Sequence, residues 1–270
     1  MRRSLKAQES ERLPDIGKKM TCAVVIYFAP HFPTFTNPIL SSKFRTFLEA
    51  SDVCVLEWTD KWTKYEPELE SLFNQLSRGE RTWVKSRRLG RGLNAFDREL
   101  QNALRGRNRR IVLERSPVEY VFIQEGDVIA LAQSSLLNEA VSLYKRQLML
   151  LARNLVDREH ALIKIIKELR TGKRLFVLRG ADHERYLRNL LDREKISAEC
   201  STYEEPPLLR RLINSLTMGE RIDDVDVQRV IYAMLHRRKG DYIEFVSLQK
   251  DAEAMTEAEV EARLSQPLDN

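Results

Sequence analysis

The strongest constraint on the fold of this chain is the stretch Arg153 to His183, where a helical pattern runs into a buried strand and then into a glycine and a histidine. Leu155, Ala161, Leu162, Ile165, Ile166 and Leu169 recur at the spacing of one helix face, and Thr171-Gly172-Lys173 ends the pattern before the apolar run Leu175 to Leu178. An uninterrupted apolar run of that length reads as a strand covered on both faces. Gly180-Ala181-Asp182-His183 follows it. The glycine permits a tight turn, and the histidine falls just past the C-terminal edge of the strand, where open α/β sheets hold their ligands.

The rest of the chain repeats this grammar. Cys22 to Phe28 is a second continuous apolar run, and the prolines of Ala29-Pro30-His31-Phe32-Pro33 place His31 on the loop after it. A helix is predicted over about Ser41 to Ala50, then a strand over Asp52 to Leu56 with Glu57 and Trp58 at its end. Helical segments over about Glu66 to Leu76 and Asn94 to Leu104 flank a basic, glycine-containing loop, Lys85 to Arg91. Arg110 to Glu114 reads as a strand, followed by Arg115-Ser116-Pro117. From about Ala132 to Leu169 one long helix or two in tandem are expected. A helix over Glu184 to Asp192 and a short strand over Ser197 to Cys200 complete the last α/β unit, and Pro206-Pro207 marks a boundary. Helices over Leu208 to Leu216 and Val225 to His236 follow, and Thr256 opens a capping-box pattern. The expectation is an α/β fold: a mostly parallel central sheet with helices on both faces, a long helical insertion and a C-terminal helical extension. Residues 1–20 form a flexible arm in this reading, 21–205 the α/β core and 206–270 the extension.

Composition narrows the function classes. With 43% hydrophobic residues in 270, a sizeable core is within reach. The 45 Lys plus Arg nearly cancel against 40 Asp plus Glu, so a nucleic-acid partner is not favoured. No stretch approaches the ~20 apolar residues of a membrane span, and residues 1–20 lack the apolar centre of a signal peptide, so a cytoplasmic location is expected. Cys22, Cys54 and Cys200 have no paired spacing and read as buried free thiols. No Walker A loop, dinucleotide fingerprint or nucleophile elbow is present.

Three strand ends deliver His31, Glu57 and His183 toward one sheet edge. Two imidazoles and a carboxylate suit Zn, Mn, Co or Fe, with bound water activated as a nucleophile. Arg153 and Asn154, on an otherwise apolar helix, are candidates to neutralise a carboxylate or to meet an anionic substrate. Plainer readings stand beside these. His31 hydrogen-bonds a loop carbonyl, or Asp182 caps a helix while the His183 ring faces solvent. Glu57 pairs with an arginine, and Glu114 pairs with Arg110 or Arg115. His160 and His236 read as surface helix residues. Arg87, Arg88, Arg91 and Arg153 would be the residues of an anion-binding module.

Together the strand followed by His31, the strand ending in Leu56-Glu57, the Arg153-Asn154 pair and Gly180-Ala181-Asp182-His183 resemble the superfamily of TraB-like proteins, Tiki metalloproteases, ChaN-like proteins and erythromycin esterases. Gly180 to His183 looks like its GxxH element, and Arg153-Asn154 like its helix signature. The first histidine motif, Phe28-Ala29-Pro30-His31, lacks the leading glycine. The resemblance implies a divalent-metal hydrolase centre at His31, Glu57 and His183, with Arg153 and Asn154 nearby and a peptide or ester as substrate. The rival expectation is a protein that keeps this scaffold but works through a protein partner. The C-terminal helices are left to pack on the sheet, cover the site or form a homodimer surface.

Overall fold

A computed structural model of the chain describes residues 23–29, 42–57, 68–84, 95–114, 123–202, 207–238 and 241–266. The N-terminal arm, Cys22, His31, the basic loop around Arg87, Arg88 and Arg91, and Ser116-Pro117 lie outside the described residues.

Five strands form one parallel sheet: β1 (Val24–Ala29), β2 (Val53–Leu56), β3 (Arg110–Leu113), β4 (Leu175–Gly180) and β5 (Ala198–Thr202), in the order β3-β2-β4-β1-β5. The chain leaves β1 through α1 (Ser42–Ala50) and crosses β4 to reach β2. It leaves β4 through α6 (Glu184–Arg193) and crosses β1 in the opposite direction to reach β5. Because parallel crossovers are right-handed, opposite directions put the two helices on opposite faces. The packing agrees with this. Phe44, Phe47 and Leu48 of α1 join Val25, Tyr27, Cys54, Leu56, Phe176 and Leu178. Leu187, Leu190 and Leu191 of α6 join Val24, Ile26, Phe28, Val53, Val55, Leu175 and Val177. The connections that follow β2 and β4 run in opposite directions to opposite faces, so the crevice where they part lies between the C-terminal ends of β2 and β4, the position at which such sheets take ligands. Helices α2 (Leu69–Ser77) and α3 (Ala95–Leu104) complete the α1 face.

Helix α4 (Glu125–Gln133) and helix α5 (Leu137–Leu169) stand in tandem, separated where Ser135 adopts a φ of 60°. Without glycine or proline, α5 runs for 33 residues, about 50 Å, until Gly172 turns the chain with a φ of 67°. This helix serves two cores. Leu162, Ile163 and Ile166 in its second half lie on the sheet. Ala140, Tyr144, Leu148 and Leu151 in its first half, and Leu155 just past its middle, pack with α4 and the C-terminal helices α7 (Leu208–Thr217), α8 (Asp224–His236) and α9 (Tyr242–Glu253). The C-terminal segment therefore builds a second core around the first half of α5. Helix α10 (Glu257–Leu264) closes the fold, and its capping box forms as the sequence predicts: Thr256 Oγ1 accepts from the Glu259 N–H, and the Thr256 N–H donates to Glu259 at 2.7 Å.

Cys54 is fully buried, whereas Cys200 is half-buried on the last strand, so only one of these two thiols is enclosed as expected. Among the described residues no helix is long and apolar enough to cross a membrane. Ile166→Ala removes a fully buried side chain between α5 and the sheet and is expected to cost about 2–5 kcal/mol. Urea unfolding should show this as a lower midpoint at unchanged slope, while exposed Lys164→Ala stays within about 0.5 kcal/mol.

Candidate functional site

Strand parity builds the site. Val53 and Val55 face α5 and α6, and Cys54 and Leu56 face α1, so the next residue, Glu57, turns toward α5. The same alternation turns Glu114 after β3 and Arg179 within β4 to that side. On α5, Arg158 and Glu159 precede Leu162 and Ile163 by one helical turn and so share their sheet-facing stripe. The 3₁₀ turn Ala181–His183 brings His183 back over the edge. Three strand ends, one helix turn and one 3₁₀ turn thus put six ionisable side chains into one cluster.

The contacts are direct. Arg179 donates through Nη1 to Glu114 and through Nη2 to Glu159. Arg158 Nη2 donates to Glu57 Oε1 at 2.6 Å and lies 3.7 Å from Glu114. The Gly180 N–H donates to Glu57 Oε2 at 2.8 Å. His183 Nδ1 bonds Glu159, and its Nε2 lies 3.2 Å from Glu57 Oε1. Five of the side chains are at most 3% exposed, and Glu57, at 11%, is the member nearest to solvent.

Charge sets the protonation. Three carboxylates face two guanidinium groups, which leaves one negative charge in excess when the imidazole is neutral. Burial and the charge of Arg179 oppose protonation of His183, but Glu57 and Glu159 outweigh them and raise its pKa above 6.5. Burial also works against the Glu159 anion, yet Arg179 and His183 hold its carboxyl below the usual range. Glu114 goes the other way: its burial outweighs the pull of Arg179 and Arg158, and its pKa is raised. The cluster therefore favours keeping one proton, and His183 and Glu114 are the two places for it.

The expected residues fall unevenly on this geometry. Glu57 and His183 meet. Asn154 is buried one helical turn before Arg158, but Arg153 beside it is exposed, and the arginines of the cluster are Arg158 and Arg179. Glu114 pairs with Arg179; Arg110 is exposed and Arg115 lies outside the described residues. Asp182 is not a helix cap, since the N-cap of α6 is His183 and no side chain caps it, and the Asp182 carboxylate instead forms an ion pair with Arg210 of α7 at 3.0 Å. His160 and His236 are exposed as expected, with His160 Nε2 against the Tyr186 hydroxyl at 3.0 Å.

The donor atoms of Glu57 and His183 already have protein partners in this arrangement. Both Glu57 oxygens accept hydrogen bonds from protein groups, both His183 nitrogens face carboxylates, and two guanidinium groups already supply the positive charge. Of the three expected ligands, Glu57 and His183 are thus engaged by protein groups, and His31 lies outside the described residues.

Arg179→Met leaves Glu114 and Glu159 buried without their main partner and is expected to cost about 3–5 kcal/mol in denaturant unfolding. Because the His183 pKa is raised on folding, its contribution is fully present below pH 6.5 and is lost as the pH rises through the folded-state value. The stability gap between wild type and His183→Gln should therefore shrink as urea midpoints are measured at rising pH above 6.5. Against protein-family models, curated proteins and solved structures the chain finds no match.

Proposed function

We propose that the chain is a hydrolase of the TraB/Tiki-like type that cleaves an ester or peptide bond by acid–base chemistry at the sheet edge, with Glu57 moving the proton and His183 supporting Glu57. The observation that supports this is the unbroken series Glu159, His183, Glu57: a buried carboxylate, an imidazole and a carboxylate that reaches toward solvent. A carboxylate on Nδ1 orients an imidazole and stabilises its protonated form. In this reading Glu57 takes a proton from water as the water oxygen attacks the carbonyl carbon. His183 stays paired with Glu57 behind it, and Glu57 returns the proton to the leaving oxygen or nitrogen as the bond breaks. Arg158 keeps the Glu57 carboxylate oriented.

A second reading is favoured by one contact set. Arg158 and the Gly180 N–H engage both oxygens of Glu57, which suits a closed ion cluster that fixes architecture in a protein working through a protein partner. Nitrophenyl esters and a fluorogenic peptide library separate the two. The hydrolase reading expects turnover that survives chelation and falls about 100-fold or more in both Glu57→Gln and His183→Gln. Equal rates in wild type and variants defeat it. Absence of turnover in a stably folded wild type favours the scaffold reading. A rate that appears only with added Zn or Mn restores a metal centre at His31, Glu57 and His183.

A further inference from the structure

We infer that Arg210 and Asn214 of the C-terminal helix α7 are positioning residues for His183, which makes the helices after Pro207 a part of the site. The inference rests on the proposed role of His183, but its test does not depend on finding a substrate.

Arg210 and Asn214 are one helical turn apart and therefore share a face, and each is only 6% exposed. That face meets the turn carrying His183. The Arg210 guanidinium forms an ion pair with Asp182, the residue immediately before His183, at 3.0 Å. Asn214 reaches both sides of the histidine: its Nδ2 donates to the Ala181 carbonyl at 3.5 Å, and its Oδ1 accepts from the Arg185 backbone N–H at 3.3 Å. One amide thus spans Ala181 to Arg185. The amide orientation follows from these partners, since the flipped form would set oxygen against oxygen and N–H against N–H.

A 3₁₀ turn of three residues has little hydrogen bonding of its own to fix its side chains. His183 needs two contacts at once, Glu159 on Nδ1 and Glu57 on Nε2, from an α-helix and a strand end that are fixed independently. A small rotation of the turn would break one of them. The side chains that oppose such a rotation come from α7, which is held in the second core by Leu208, Leu212 and Ile213. Arg210 pairs with Asp182, the residue next to His183, and Asn214 carries no charge, so the effect of Asn214 on His183 is geometric.

The test is the ring ¹⁵N chemical shifts of histidine-labelled full-length protein at pH 7. The sequence has only four histidines, and His183→Gln assigns the signal. In Asn214→Ala and Arg210→Met the two His183 nitrogens should move toward the values of a free imidazole, while Arg210→Lys, which keeps the charge on Asp182, holds them at wild-type positions. Cooperative urea unfolding of each variant shows that the fold persists. If Asn214→Ala does not fold, Asn214→Ser and Arg210→Met carry the test. Where hydrolysis is found, the same variants should lose about tenfold or more in kcat with KM little changed. Unchanged His183 shifts in folded Asn214→Ala and Arg210→Met overturn the inference, whether or not a substrate has been found.

Discussion

The charge on Arg179 is the interaction the sheet edge depends on. It sits near the end of the central strand with its side chain 1% exposed, and without it Glu114 and Glu159 would be anions in a nearly water-free space. An unpaired charge in such a place costs several kcal/mol, whereas a pair with further hydrogen bonds is tolerated. Arg158 meets the same need for Glu57. The two guanidinium groups allow three carboxylates to gather beside one imidazole, and because they fall one charge short the cluster favours keeping one proton, on His183 or Glu114.

The position of the cluster follows from the two cores. Helix α5 leaves the helical core after Leu155 and enters the sheet core at Leu162, and Arg158 and Glu159 occupy the turn between. A polar turn in an otherwise apolar stripe is admissible there because strand parity aims Glu57, Glu114 and Arg179 at the same level from below. Helix α7 approaches this seam from the other side and holds the turn of His183. The polar centre is thus bounded by α5, α7 and three strand ends, and the one member at 11% exposure marks its way out to solvent.

Much of the fold is legible in the sequence, and for physical reasons. Four of the five strands are apolar runs closed by a charged or turn-forming residue, while β5 is a mixed Ala-Glu-Cys-Ser-Thr stretch; most helices show a buried stripe, but α4 and α9 fall outside the helices expected from the sequence. The parallel sheet follows from the alternation of the two. The site is legible in part. Glu57 and His183 stand at strand ends, where an isolated polar residue is conspicuous. Arg158 and Glu159 are harder to see because they lie in a run of charged residues, Asp157 to His160, and only their register with Leu162 and Ile163 distinguishes the buried pair from exposed Asp157. Arg153-Asn154 drew attention as a motif, yet helix geometry places Arg153 outward. The Arg179 signal was also present, as a charge inside an apolar strand. The role of α7 is beyond the reach of sequence spacing, since Arg210 and Asn214 meet Asp182 and Ala181 only through tertiary packing.

The strand order has a consequence for how the chain is made. β4 lies between β1 and β2, so when the first three strands leave the ribosome β1 has no neighbour among them. β2 and β3 form only a two-stranded ribbon, and Glu57 and Glu114 at their ends still lack the guanidinium groups that make their burial tolerable. Synthesis of α5 supplies Arg158, and β4, a few residues later, inserts between the waiting strands and brings Arg179. Hydrogen-bonding partners and counter-charges therefore arrive with the same segment, so the sheet closes and its acidic edge is neutralised in one late event.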